Sequence, residues 1–262
     1  MISPDNRRYA YGKAQLIEVI CQLRFPTILS IDTREPADFQ ETVREAFPRY
    51  QCQVETIPGV NGAPNRTINN HTFLSEDGGY KLSLTKDFIA LSTMRYTNWE
   101  DFAARLDEPL GQFIKIYRPN CFDRVGLRFV NAFSREQLGL AGRRWNDLLQ
   151  PPYLGVLDED EIDEESVVKC SVDVERELDA LAALKLHAGP GFVQRNIRNG
   201  NRVQQVQEKE VRFIFDQDVY STAKVKVPAV AETLNALHAH ADSVFSDAIT
   251  TVLHDAMEPE YL

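Results

Sequence analysis

Residues 71–93 read HTFLSEDGGYKLSLTKDFIALST. The Glu76-Asp77-Gly78-Gly79 segment lies between two runs that alternate apolar and polar side chains. Its paired glycines adopt positive φ without steric cost, so the segment is a hairpin turn. Lys86-Asp87 interrupts the second run and supplies another, weaker turn. Three short strands in a meander follow, and an antiparallel sheet is the expected framework.

On the C-terminal side, residues 99–117 form an amphipathic helix with Phe102, Leu106, Leu110, Phe113, Ile114 and Tyr117 on one side, and Pro119 stops it. Residues 121–133 alternate again, with Val125, Leu127 and Phe129 opposite Arg124, Gly126 and Arg128. On the N-terminal side, LIEVICQLRF (16–25) reads as a strand in which Ile17, Val19, Cys21, Leu23 and Phe25 oppose a mostly polar set. Pro36 opens a helix over 37–47 and Pro48 closes it, and a turn-rich loop spans Pro58 to Asn65.

Residues 134–166 lose periodicity, broken by Gly139, Gly142, Pro151, Pro152 and Gly155. Strands resume over 167–175 and 184–188, a Gly-Pro-Gly turn is expected at 189–191, and further strands over 192–196, 203–207 and 211–215 complete antiparallel hairpins. A helix over 230–257 closes the chain, its stripe including Leu234, Leu237, Val244, Phe245 and Ile249. The expected class is α+β: two antiparallel β-sheet halves, residues 1–150 and 151–262, each closed by an amphipathic helix, with a long C-terminal helix and an acidic linker at 158–165. Phe102, Phe113, Leu127, Phe129, Val172, Phe213 and Phe245 are the predicted core.

Composition agrees with a packed protein: of 262 residues, 43% are hydrophobic and 26% charged. The four cysteines at 21, 52, 121 and 170 have neither disulfide-framework nor zinc spacing, so free thiols are expected, three of them in or beside apolar runs. No apolar leader and no long apolar stretch occurs, which predicts a cytoplasmic protein without a membrane partner and makes the Asn65 and Asn70 sequons chance matches. The net charge is −10; residues 1–150 carry 19 basic and 18 acidic side chains, and residues 151–262 carry 10 and 21. That acidic balance repels phosphate backbones and argues against nucleic acid as a partner.

The familiar catalytic and nucleotide-binding motifs are absent, and the glycine pairs join strand to strand where a phosphate cradle needs strand to helix, so no catalytic residue and no cofactor is expected. Three of the five histidines, 238, 240 and 254, fall on the closing helix, where His240 and His254 would stand ~21 Å apart along the axis. No metal site is expected from them. Two features remain. Glu18, Gln22, Arg24, Arg124 and Arg128 occupy alternate positions of two strands; if those strands are neighbours, Glu18, Arg24 and Arg128 form a face able to take an anion on an Arg fork. Residues 158–165 hold seven acids in eight positions, and Asp158, Glu159, Asp160 and Glu161 form either a solvated loop or a docking strip for a basic protein.

LIEVICQLRF (16–25), FLSEDGGYKLSLTKDFIALST (73–93) followed by Trp99-Glu100-Asp101-Phe102, RVGLRFVN (124–131), and the helical Leu237-His238, Phe245 and Ile249-Thr250 pattern resemble a family of uncharacterised bacterial proteins of this length. The resemblance spans nearly the whole chain. It implies bacterial origin and the same extent of fold, and it transfers no catalytic residue. The family's sporadic distribution among genomes implies a defence or toxin–antitoxin setting. Two functions are therefore expected: a protein-interaction or regulatory module, and, as the alternative, a small anionic-ligand binder or enzyme using the Arg-bearing sheet face.

Overall fold

The meander is one wing of a nine-stranded antiparallel sheet. A computed structural model describes residues 9–57, 66–199 and 202–261. The loop expected over 58–65 lies outside the described residues. In chain order the strands are β1 (Tyr9–Tyr11), β2 (Leu16–Arg24), β3 (Arg49–Ile57), β4 (Arg66–Leu74), β5 (Tyr80–Leu84), β6 (Phe88–Thr93), β7 (Cys121–Phe122), β8 (Arg124–Phe133), β9 (Val172–Glu177), β10 (Ala182–Gly191), β11 (Gln194–Asn199), β12 (Arg202–Gln207), β13 (Arg212–Ser221), β14 (Val225–Lys226) and β15 (Pro259–Tyr261). The α-helices are α1 (Leu29–Thr33), α2 (Ala37–Val43), α3 (Trp99–Tyr117), α4 (Val230–Ala248) and α5 (Thr251–Ala256).

The large sheet runs β3-β4-β5-β6-β2-β8-β13-β10-β9, while β1–β15, β11–β12 and β7–β14 form separate pairs. The class is α+β with antiparallel sheets and a long helix near the C-terminus, as expected. Strands from both sides of residue 150 enter one sheet, because β8 pairs with β13 from Gly126↔Tyr220 to Phe133↔Phe213. β2 lies between β6 and β8, with a bulge at Ile17 where Leu16 opposes Asn131 and Glu18 opposes Val130.

One face of this sheet is apolar. Val19, Cys21 and Leu23 of β2, Leu127 and Phe129 of β8, and Phe215 and Val219 of β13 are buried on it. α4 packs across β8 and β13, and α3 reaches the same side through Phe113, whose ring lies 4.7 Å from that of Phe25. α3 starts where Asn98 accepts a hydrogen bond from the Asp101 amide at 2.8 Å, and it ends on Arg118 in a left-handed conformation. Of the predicted core, Phe102, Phe113, Leu127, Phe129 and Phe213 are buried, whereas Val172 and Phe245 are only partly so.

The opening turn forms where expected, but of its paired glycines only Gly78 is left-handed. Gly78 takes φ +68°, and Asp77 Oδ1 accepts from the Gly79 amide at 2.9 Å and the Ser75 hydroxyl at 2.7 Å.

Three of the differences from expectation have a visible physical cause. Gly189-Pro190-Gly191 does not turn; it continues β10 and pairs with Ile214, Phe213 and Arg212. Proline is tolerated because β9 covers β10 only as far as Ala188, leaving Pro190 beyond its reach. Residues 167–171 are not a strand, and Val168 is fully exposed. There the Cys170 carbonyl crosses so close to Gly189 that a β-carbon would fall 2.5 Å from it. The helix expected over 230–257 breaks after Ala248. Ile249 is extended and bridges Leu149, the Thr250 amide donates to the Leu148 carbonyl at 2.9 Å, and Thr250 then caps α5. Among the described residues no helix is long and apolar enough to cross a membrane.

Candidate functional site

The residues singled out in the sequence lie on the outer face of the sheet. Arg24 and Arg128 share that face, because Ile20 opposes Arg128 and Arg24 opposes Arg124 in register. They do not converge: four residues of strand separate their levels, about 13 Å. Arg24 donates to Gln22 Oε1 at 2.7 Å. Arg128 makes a two-pronged pair with Asp216, its Nε 2.7 Å from Oδ1, and Arg124, four residues earlier, sets its Nη2 alone between the two Asp218 oxygens at 2.8 and 2.7 Å. Hydrogen bonding to Asp216, and then the charges of Asp216, Asp218 and Glu18, hold the Arg128 guanidinium more firmly protonated than usual. Glu18 therefore acts on Arg128 only at a distance, and its expected clamp is supplied by Asp216. His187–Asp173 at 2.8 Å and Lys185–Glu175 at 3.2 Å extend the alternation of charge across β10 and β9.

The acidic run is partly gathered in by the chain itself. Asp158 ends a 3₁₀ turn over Gly155–Asp158, and Arg144 donates to the carbonyls of Glu159 at 3.0 Å, Asp160 at 3.2 Å and Ile162 at 2.9 Å. Arg135 pairs with Glu164 at 2.9 Å. The Asp160 side chain stays 88% exposed, and Glu161 points to solvent. Among the described residues no group of three or more His, Cys, Asp or Glu side chains is placed to hold a metal ion.

The inner face holds a different site. A cavity of about 390 Å³ lies between α4, the start of α3, β8, β13 and the segment Tyr9–Leu16. Its walls are aromatic. Trp99 stacks on His238 at 4.5 Å with 18° between the rings, Phe129 meets His238 edge-on at 6.1 Å, and Tyr11, Tyr96 and Phe245 complete the lining. Local structure explains the placement: the Asn98 cap orients Trp99, whose Nε1 donates to Asn235 Oδ1 on α4 at 3.0 Å, and helical spacing sets Asp242 Oδ2 3.5 Å from His238 Nδ1.

Polar groups interrupt the aromatic wall. Gln15 is satisfied, accepting from the Ser134 amide at 3.0 Å and donating to the Lys13 carbonyl at 3.1 Å. Tyr11 Oη lies 3.0 Å from His254 Nδ1. Burial, then the neighbouring Tyr9 and Asp242, push the Tyr11 pKa up to about 12, so its hydroxyl stays neutral. Asn131 and Gln217 are different. They are 4% and 2% exposed, and Asn131 Nδ2 and Gln217 Oε1 have no hydrogen-bond partner. Each such orphan costs about 1–3 kcal/mol of folding free energy. Among the described residues no Lys or Arg lines the cavity, and Asp242 is the one carboxylate.

Sequence reasoning passed over this site. Asn131 falls in phase with Leu127 and Phe129, and Gln217 in phase with Phe213, Phe215 and Val219, so both carboxamides interrupt an apolar face on adjacent strands. That interruption was the available signal; the strand over 211–215 ended too early to reveal it. Comparison with protein-family models and with curated proteins finds no match for the chain.

Proposed function

We propose that this chain is a small-molecule-binding protein whose site is the cavity between α4 and the inner face of β8 and β13. The observation that carries the reading is an aromatic-walled pocket of about 390 Å³, partly open to solvent, against the apolar face of the sheet. Protein interiors rarely leave voids larger than a water molecule, and ligand sites fall in the range of about 300–1,000 Å³. Aromatic rings supply contact area, and a few polar groups fix orientation. With one carboxylate and no cationic side chain among the described residues of the wall, the site disfavours anions. The ligand is thus uncharged or cationic, and it binds on the face of the sheet opposite Arg24 and Arg128.

Filling the space tests this. Ala241 is 1% exposed on α4 and lines the cavity, so Ala241→Phe directs a ring into open volume. Small aromatic compounds that raise the melting temperature of the wild-type protein should leave that of Ala241→Phe unchanged. Equal shifts in both proteins would place the binding elsewhere.

A second reading, docking of a basic protein on Asp158, Glu159, Asp160 and Glu161, is supported by the exposure of these carboxylates beside Val156 and Val168, which are 47% and 102% exposed. It ranks lower because Arg144 already occupies the backbone side of the run.

A further inference from the structure

We infer that Asn131 and Gln217 together read a lactam edge, an adjacent carbonyl and N–H on a flat ring, so that the ligand of this cavity is a neutral planar heterocycle of that kind. The inference rests on the cavity reading above and deepens it.

Phe215 opposes Asn131 and Gln217 opposes Phe129, so Asn131 and Gln217 are diagonal neighbours across the β8–β13 pair. Side chains so related stand within reach of one another and of one small group placed between them. Their unpaired atoms are of opposite type. Asn131 Nδ2 is a donor that needs a carbonyl; Gln217 Oε1 is an acceptor that needs an N–H. A cis-amide in a ring presents both groups side by side, in one plane.

The rest of the wall selects flatness. Trp99 and His238, stacked at 4.5 Å, present ring faces and edges, and Phe129 stands edge-on beside them. Gln15 and Trp99, which line the same cavity, find protein partners. Two buried carboxamides on adjacent strands, one offering a donor and the other an acceptor, match the two polar groups of such an edge.

The test is calorimetric titration of the whole chain with 2-pyridone, N-methyl-2-pyridone and toluene. These probes share size and flatness; the second lacks the N–H, and the third lacks both polar groups. The inference expects 2-pyridone to bind at least tenfold more tightly than either of the others, because each loss leaves a buried protein atom unpaired. Equal affinity for all three would overturn the lactam inference while leaving the cavity reading intact. No binding by any of them would overturn both. A variant supplies a readout that a structural role would reverse: Gln217→Met should raise the melting temperature of the unliganded protein, since an orphan is removed, yet weaken 2-pyridone at least tenfold. A lower melting temperature would show that Gln217 serves the fold and would overturn its assignment to the ligand.

Discussion

His71 shows at the scale of one residue how burial converts into pH dependence. Its ring is 3% exposed, with Nε2 3.1 Å from the Ile31 carbonyl and Nδ1 3.0 Å from the Tyr50 hydroxyl. Burial lowers its pKa below the ordinary value of 6.5, against smaller opposing contributions from the Ile31 carbonyl, Asp32 and Glu35. A lowered folded value means that the unfolded chain binds the proton first. The stability His71 contributes is therefore fully present above about pH 6.5 and is lost as pH falls through the folded value. Urea unfolding measured from about pH 7.5 down to about 5 should show wild-type stability falling more steeply than that of His71→Gln. Parallel slopes would assign the acid sensitivity to another group. Asn131 and Gln217 belong to the same scale. Each is a polar residue at an apolar position of a strand, a local inconsistency that marks function more often than error.

Whole elements were readable where a single period ran uninterrupted. The Gly78-Gly79 hairpin, α3 with its stripe from Phe102 to Phe113, the alternation of β8 and that of β2 from Glu18 onward match their sequence patterns. The failures share one cause: long-range pairing overrode the local signal. Ile249 looked like one more position of a helical stripe, yet it leaves the helix to bridge Leu149. Gly-Pro-Gly at 189–191 looked like a turn, but β13 holds it extended, and glycine is needed there for room and not for conformation. Gly189→Ala should accordingly cost about 1–3 kcal/mol, because its β-carbon meets the backbone of Cys170 and not a pliable side chain. The shift in urea midpoint measures this, and an unchanged midpoint would show that the 167–171 segment can move aside freely.

At the scale of the molecule, the loss of periodicity over 134–166 suggested two halves, residues 1–150 and 151–262, whereas the sheet joins strands from both. The order of strands in a sheet is set by which faces and edges are buried together, and alternation alone carries no record of it. A chain ending at residue 150 would lack β13 and α4, baring both the edge of β8 and the apolar face that carries Leu127 and Phe129. It should fail to give a cooperatively folding monomer on size exclusion and urea unfolding. A folded, monomeric product would show that residues 1–150 are self-sufficient. The cavity is a product of the same scale, since α3, α4, β8, β13 and the segment before β2 are five separate stretches of the chain.

The two tryptophans allow that cavity to be interrogated directly. Trp99 lines it, while Trp145 is 2% exposed and packs against Phe213, 5.3 Å away, outside its wall. In a ¹H–¹⁵N spectrum, titration with 2-pyridone should shift the Trp99 indole N–H in a saturable manner and leave that of Trp145 in place. Saturable movement of Trp145 alone, or of neither indole, would contradict a ligand site between α4 and the sheet.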